Sequence, residues 1–582
     1  MSFGSARPGN FLVSFFVLVV SWSLSASLES APSGFINLMI LCKFVTNDSG
    51  NSAPFSYIVL NNTEIGMDPI VFFSGLAAFY LMAFFLNCFF KSCMHYPYDQ
   101  FLKNSGLQVQ FMCMKWHTTA FNRAVFRWGT NSNFSRTWLT RSFTLGVLVS
   151  LSLLPIGIIV LFMTIFNSGS DRGQVGSSSG GTIKSDMMQL EVLLPGVNLP
   201  LNEVGFYVVT LMFSTIVHEL GHALAAVLDD IPVTGFGFQI YFCIPMAYTE
   251  ISNDHLNALK WFKRLRILCA GIWHNVLFAA FCYLLLSTLG FMAMPLYTLN
   301  KNVIVTELTR NSPLRSKGEK GLVVGDIISQ INDCRVYNEH TWYGCLMQAL
   351  RSKPGYCVSS EFIRFNDESV DISHHGNDGV LQCCDDKNEK LCCFEYIDDF
   401  SNDAPVEIPQ HVCLDVRRTV EDSFGYCVAG TACDHGFCLR PLLRNTTTIL
   451  NLKRFVAAEN DSSKLRDVIY IGHPADVARS VRISSFVPKQ KFAAPFWGDI
   501  YLLFLKYNIV FSTGLALVNA IPCFGLDGYH ITSTIINSFL VNRVTDRAKR
   551  DVIALIVTGI GTLLFVMGIL KVLWLSVIRR MF

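Results

Sequence analysis

Residues 218–222 read HELGH. On a helix, His218 and His222 stand one turn apart on a single face. Two imidazoles so placed can hold one Zn²⁺, with Glu219 beside the metal as general base for its water. Zinc lowers the pKa of that water toward about 7, so hydroxide becomes available at neutral pH. At this chain's own His and Glu frequencies the pattern should arise by chance about 0.01 times. The competing reading is a pair of buried structural histidines. Context opposes it, because the motif lies in an apolar segment where His and Glu are costly and usually functional.

A catalytic zinc takes three protein ligands and keeps one position open. The third should also sit in the membrane. Asp527 follows the apolar run 500–526 in the stretch NAIPCFGLDGYH. Pro522 removes a helical donor, and Gly525 and Gly528 loosen the backbone, so the segment can unwind and turn a carboxylate inward. The other reading of Asp527 is a helix cap at the interface. Asn275 and Asn519 are polar groups in apolar spans and need partners. They either hold substrate backbone or a tetrahedral oxyanion, or they join helices. His274 reads as a packing residue or as one that supports a ligand.

These groups must be positioned by membrane elements. Residues AVILMFWYC make up 51% of the 582, and charged residues only 15%, against about 25% in soluble domains. Runs long enough to span a bilayer cover 11–28, 70–90, 143–166, 204–228, 267–294, 500–526 and 552–577. The first has the marks of a cleaved signal peptide as well as of a span, and we read it as a span. A net charge of +2 gives no sign of a nucleic-acid partner. Segment 91–142 carries seven basic residues and one acid, Asp99, so it is assigned to the cytosol. Alternation then makes 30–69, 167–203 and 295–499 lumenal and returns 529–550 to the cytosol. Segments 204–228 and 500–526 thereby run in one direction, which puts His218, His222 and Asp527 at one depth.

Segment 231–252 is apolar but broken by Pro232, Gly235, Gly237 and Pro245. It predicts a hairpin dipping into the protein-lined membrane region rather than a spanning helix. Residues 167–186 are a Gly/Ser linker. Eleven of the nineteen cysteines fall between Cys334 and Cys438. Their density in a polar region points to disulfides in an oxidising lumen, and the adjacent doublets do not match zinc-ribbon spacing. Asn445 and Asn460 begin N-x-Ser/Thr sequons just past this block and are candidate glycosylation sites. The stretch EKGLVVGDIISQIND has the look of strand, turn, strand, and 467–488 is expected to supply further strands.

HELGH in one span and NAIPCFGLDG in a later one resemble the site-2 protease family of intramembrane zinc metalloproteases. LEVLLPGVNLPLNE, GIWHN, NSPLRSKGEKGLVVGDIISQINDC and FNRAVFRWG are also similar to that family. The resemblance implies one Zn²⁺ per chain, held by His218, His222 and Asp527, with Glu219 as catalytic base. It also implies roles for Gly271 and Asn275 of a G-x-x-x-N motif, and for Asn519 and Pro522. It implies a PDZ-like domain within 295–499, there to bind peptide or to act as a steric filter.

The fold expected is a polytopic α-helical membrane protein of about six to seven transmembrane helices. A lumenal PDZ-like α+β domain carries a cysteine-rich insertion, 334–438. The segments are 1–90 (first helices and lumenal loop), 91–142 (cytosolic), 143–166 (helix) and 167–203 (lumenal linker). After them come 204–294 (catalytic core and hairpin), 295–499 (lumenal domain), 500–528 (second catalytic segment) and 529–582 (cytosolic loop and last helix). By resemblance the partners are the lipid bilayer and membrane-anchored transcription factors, of the sterol regulatory element-binding class, already clipped in the lumen. The family implies Golgi and endoplasmic reticulum membranes. The rival readings are a non-catalytic membrane PDZ scaffold with a relict metal site, and a zinc transporter. A transporter would want a series of ligand clusters, and the chain offers one.

Overall fold

The computed structural model describes residues 39–42, 69–130, 133–166, 190–193, 203–241, 244–315 and 321–581, the last range without 352, 371–373, 376–380, 385–389, 398–410, 429–432, 434–435, 444–445, 456–466 and 491. The 11–28 run, the 167–186 linker, Asn445 and Asn460 lie outside the described residues. Six described helices are long and apolar enough to cross a membrane, as a multi-pass membrane protein requires. They lie in α1 (Pro69–Cys93), α2 (Asn133–Phe166), α3 (Val204–Leu228), α4 (Trp261–Ala293), α5 (Pro495–Ala520) and α7 (Arg547–Met581), with the short α6 (Asp527–Phe539) before the last. A helix pairs every interior backbone group within itself, which is why apolar runs of this length adopt it.

Contacts divide the chain into two units, Met1–Ser287 with Leu503–Phe582, and Thr288–Leu502. In the first, Val147 of α2, Leu268 and Ile272 of α4, Ala516 and Ala520 of α5 and Ile531 of α6 form one buried cluster. A second cluster joins Val160 and Leu161 of α2, Leu517 and Ile521, and Phe565 of α7. Glycine allows α3 to approach α4 closely: a Cβ on Gly221 would stand 2.5 Å from the Ala270 carbonyl oxygen.

The same unit contains a four-stranded antiparallel sheet in the order β1 (Leu107–Gln110), β2 (Cys113–Thr118), β3 (Val233–Tyr241), β4 (Ile244–Ile251). The 231–252 segment therefore forms two antiparallel strands, and the basic segment 91–142 supplies two more. The 91–142 segment is also richer in helix than its charge suggested. Helix α2 begins at Asn133 rather than near 143. Its polar first turns are held by Arg136, which donates to the Leu228 carbonyl at 3.1 Å and to Asp230 at 3.0 Å.

The second unit holds two larger antiparallel sheets, beside two short two-stranded pairings, 374–375 with 381–382 and 297–298 with 487–488. One has the order 468–472, 448–454, 327–331, 303–308, 481–484, with 334–335 paired to 327–331. Of the strand–turn–strand motif, the turn forms at Val324–Gly325 (Gly325 φ 101°) and the second strand at Ile327–Ile331, but Leu322 and Val323 before the turn form no strand. Ile327–Ile331 then reverses at Asn332 (φ 51°) to pair with Cys334–Arg335. The 467–488 stretch does supply two strands of this sheet, flanking a helix at 474–480. The other sheet, in the order 411–415, 391–396, 437–441, 355–358, 425–427, is built wholly from chain between two strands of the first. Four disulfides fall in it: Cys357–Cys433, Cys383–Cys393, Cys384–Cys413 and Cys427–Cys438. The fifth, Cys334–Cys345, packs with the core of the first sheet instead. Cys392 is the one free cysteine of this unit among the described residues.

Candidate metal centre

The centre is assembled from α3, α4 and the turn after α5. His218 and His222 are both 7% exposed. Their Nε2 atoms lie 3.2 Å apart. Asp527 comes to them from 309 residues away in the chain: its Oδ2 is 2.9 Å from His218 Nε2 and 3.1 Å from His222 Nε2.

The approach of Asp527 depends on the break predicted at Pro522. Helix α5 stops at Ala520, and the chain turns through Ile521–Leu526 with Gly525 at φ 87°. Close packing locks the turn, since a Cβ on Gly528 would fall 2.0 Å from the Ile521 carbonyl oxygen. The Thr562 hydroxyl of α7 accepts the Phe524 N–H at 3.1 Å. Asp527 is the first residue of α6, but Leu526 occupies the capping position and no side chain caps the helix. The carboxylate is spent on the histidines, not on the backbone.

The donor chemistry fits a cation. His222 Nδ1 lies 2.8 Å from the Ile267 carbonyl oxygen. A carbonyl only accepts, so Nδ1 carries the hydrogen and neutral His222 presents a bare Nε2 lone pair. This is the arrangement usual for a metal-ligating histidine. His218 Nδ1 lies 3.2 Å from the Asn275 amide, which is fully buried. As placed, the amide nitrogen faces His218 and Asn275 Oδ1 has no partner. Turning the amide over makes Oδ1 accept from Nδ1–H and frees the second Nε2 as well. Two lone pairs and a carboxylate oxygen then face one another, and their electrostatic repulsion calls for a positive charge among them. Donors at about 2.0–2.2 Å from a tetrahedral ion are themselves roughly 3.3 Å apart, close to the 2.9–3.2 Å seen here. Space is kept by Gly271, where a Cβ would lie 2.4 Å from His222 Nε2 and 2.6 Å from His218 Nε2.

Glu219 is half-buried, and its carboxylate makes no hydrogen bond to a described residue. Its backbone carbonyl accepts from Thr249 Oγ1 of β4 at 3.1 Å, tying the sheet's edge strand to the HELGH turn. Asn519 is half-buried near the end of α5 and makes no hydrogen bond to the three donors. His274 stays outside the cluster, stacked on Phe143 at 5.2 Å and packed beside Gly221. The sequence reading missed that β1 and β2 extend the hairpin into a sheet. The period-two alternation of LQVQ and CMKWHT was the available signal.

A model of peptidase family M50 matches residues 206–566, a stretch that contains all three donors and Glu219. A protein of Arabidopsis thaliana described as a membrane-bound transcription factor site-2 protease homolog is 24% identical over 508 residues, covering 78% of this chain and 91% of the relative.

Proposed function

The chain belongs to peptidase family M50, a family of metallopeptidases, and from that premise we propose that it is a zinc endopeptidase cutting peptide bonds within the membrane. The observation that carries this reading is the convergence of His218 Nε2, His222 Nε2 and Asp527 Oδ2 on one buried point. These residues would hold one Zn²⁺, which when bound supplies Lewis acidity and activates water at neutral pH. Glu219, with a free carboxylate beside the donors, takes the attacking water's proton and passes it to the leaving amine. Asn275 fixes the ring of His218, and Asn519 meets substrate backbone or the developing oxyanion.

A helical substrate hides its amides in internal hydrogen bonds and must unwind before cleavage. Strand β4 is an edge strand among the described residues, and it is bonded to the HELGH turn through Thr249. An unwound substrate can add to it as a fifth strand.

The basic charge of 91–142 supports a cytosolic assignment for that segment. The disulfide-rich unit then lies in the lumen, where an oxidising environment suits it. Its first sheet serves as the PDZ-like domain, with the second as a cysteine-rich insertion. The relative's description supports membrane-anchored transcription factors as substrates. Cut in the lumen beforehand, they would release a cytosolic fragment to the nucleus from Golgi or endoplasmic reticulum membranes.

The test is cleavage of a single-span substrate by the purified chain, with and without a zinc chelator, beside Glu219→Gln. Cleavage that needs both metal and Glu219 is expected. Equal cleavage by the Glu219→Gln chain would refute the mechanism. Full zinc occupancy with no cleavage of any tethered factor would favour a scaffold.

A further inference from the structure

The stretch FNRAVFRWG forms a helix, Asn122–Thr130, that the proteolytic reading leaves without a role. Its inner face is small and apolar. Val125 and Gly129 are buried, and Val125 packs in a cluster with Ala223, Leu224, Ala226 and Val227, the turn of α3 that follows His222. The fit is close: a Cβ on Gly129 would stand 2.7 Å from a Val227 methyl carbon. The same helix reaches β3. Asn122 Nδ2 donates to the carbonyls of Val233 and Thr234 at 3.2 and 3.0 Å, and Phe121 packs edge-on against Phe236. One short element thus holds both the helix bearing HELGH and the strand pair proposed to receive substrate.

Its outer face has a different character. Arg123 and Arg127 are four apart, point away from Val125, and are exposed. Neither makes an ion pair with a described residue. Phe121, Phe126 and Trp128 are 56%, 60% and 58% exposed around them. The acids on the elements this helix packs beside are already engaged, Asp230 by Arg136 and Glu250 by His117. The helix packs on the last turns of a membrane-spanning segment and precedes the start of the next at Arg136. By the length and composition of those spans, that is the level assigned to the boundary of bilayer and water. Aromatic rings and unpaired arginines at that level match the acyl–headgroup boundary of a negatively charged leaflet.

We infer that Asn122–Thr130 is a binding surface for anionic phospholipid headgroups, and that its occupation steadies the HELGH helix against the strand pair and so raises proteolysis. The surface stands on geometry and charge alone, while its effect on rate rests on the proposed protease reading. The coupling is mechanical: headgroups hold the outer face, and Val125, Gly129 and Asn122 pass the constraint inward.

The experiment reconstitutes the full chain in vesicles of phosphatidylcholine, with or without phosphatidylserine. It reads amide hydrogen exchange over 121–130 and cleavage of a single-span substrate. Phosphatidylserine should slow exchange in this helix and raise cleavage roughly threefold or more. The pair Arg123→Gln and Arg127→Gln should lose both responses while keeping the rate seen in phosphatidylcholine, and Arg123→Lys with Arg127→Lys should restore them. Equal exchange in the two vesicles, or a response kept by the glutamine pair, overturns the inference. So does a response reproduced by inorganic phosphate in neutral vesicles, because the site would then serve a soluble anion. If the chain cleaves nothing in either vesicle, the protease reading fails while the exchange measurement still decides the lipid site.

Discussion

The two units hold their order by different means. Thr288–Leu502 contains every disulfide among the described residues, closing separations of 10 to 76 residues. In the other unit Cys88, Cys93, Cys113, Cys269, Cys282 and Cys523 are all free. Its distant segments are joined instead by apolar packing and a few buried polar pairs. Ser214 of α3 meets Ser512 of α5 at 2.9 Å, and Tyr207 meets Tyr507 at 2.7 Å. The lesson concerns where information sits. In a lipid-facing unit most side chains are interchangeable hydrocarbon, so the rare polar groups carry the specificity and the chemistry. In the cysteine-rich unit a few polar residues, such as Asn332 and Asn451, are buried, but the cross-links and two small cores carry the fold.

The comparison can be broken first at Asp527. Asp527→Asn should empty the centre of metal and abolish cleavage while the chain still inserts, because a neutral amide oxygen is a poorer zinc donor than a carboxylate. Zinc stoichiometry of the purified variant checks it, and full occupancy with normal cleavage would remove Asp527 from the site. Glu219→Gln comes next. It should lower cleavage by about 10²–10⁴-fold with metal retained, since the role proposed for the residue is that of a base and not a donor.

The disulfide unit should respond in stability rather than catalysis. Cys357 and Cys433 close the longest loop, 76 residues, so replacing both with serine should cost up to about 4–5 kcal/mol, against about 3 for a loop of 11. Denaturant unfolding of Thr288–Leu502, followed within the full chain, measures the loss. Zinc content should be unchanged, and a loss of metal would show that the separation drawn here is false. Gly271→Ala is a smaller perturbation. Its new Cβ would crowd His222 Nε2, and metal affinity should fall at least about tenfold. The mildest test concerns sidedness. Asn445 and Asn460 should accept glycans, whereas Asn133, also a formal sequon, should stay bare. A glycan on Asn133 would reverse the proposed orientation.

Several elements were legible without coordinates. Apolar run length located the spanning helices, because a bilayer leaves a chain few ways to pair its backbone. The ends were read less well. Helix α2 starts about ten residues early, since Arg136 finds the carbonyl of Leu228, a contact that no local pattern encodes. The turn at Gly325 was legible, but the strand expected before it is absent, because the alternation in GLVVGD was not that of a paired strand, and a second reversal follows at Asn332. Strands β1 and β2 were overlooked because the positive charge of their segment outweighed a weak alternation.

The sequence by itself determined the kind of chemistry open to this protein. Two histidines one helical turn apart, with a glutamate beside them in hydrocarbon, have few other uses, and the spacing alone puts them on one face. It also located the break at Pro522, since proline cannot continue a helix there without losing a hydrogen bond. Only the tertiary structure decided which groups Asp527 faces. A carboxylate at the start of a helix can cap the backbone or face a partner, and the choice depends on groups 309 and 305 residues away. It likewise decided that Gly271 keeps the space before the donors open, and that the amide of Asn275 and the carbonyl of Ile267 orient the two rings. Local sequence specifies conformation through short-range sterics and hydrogen bonds. A centre built from three helices is specified by packing, and packing exists only once the chain has folded.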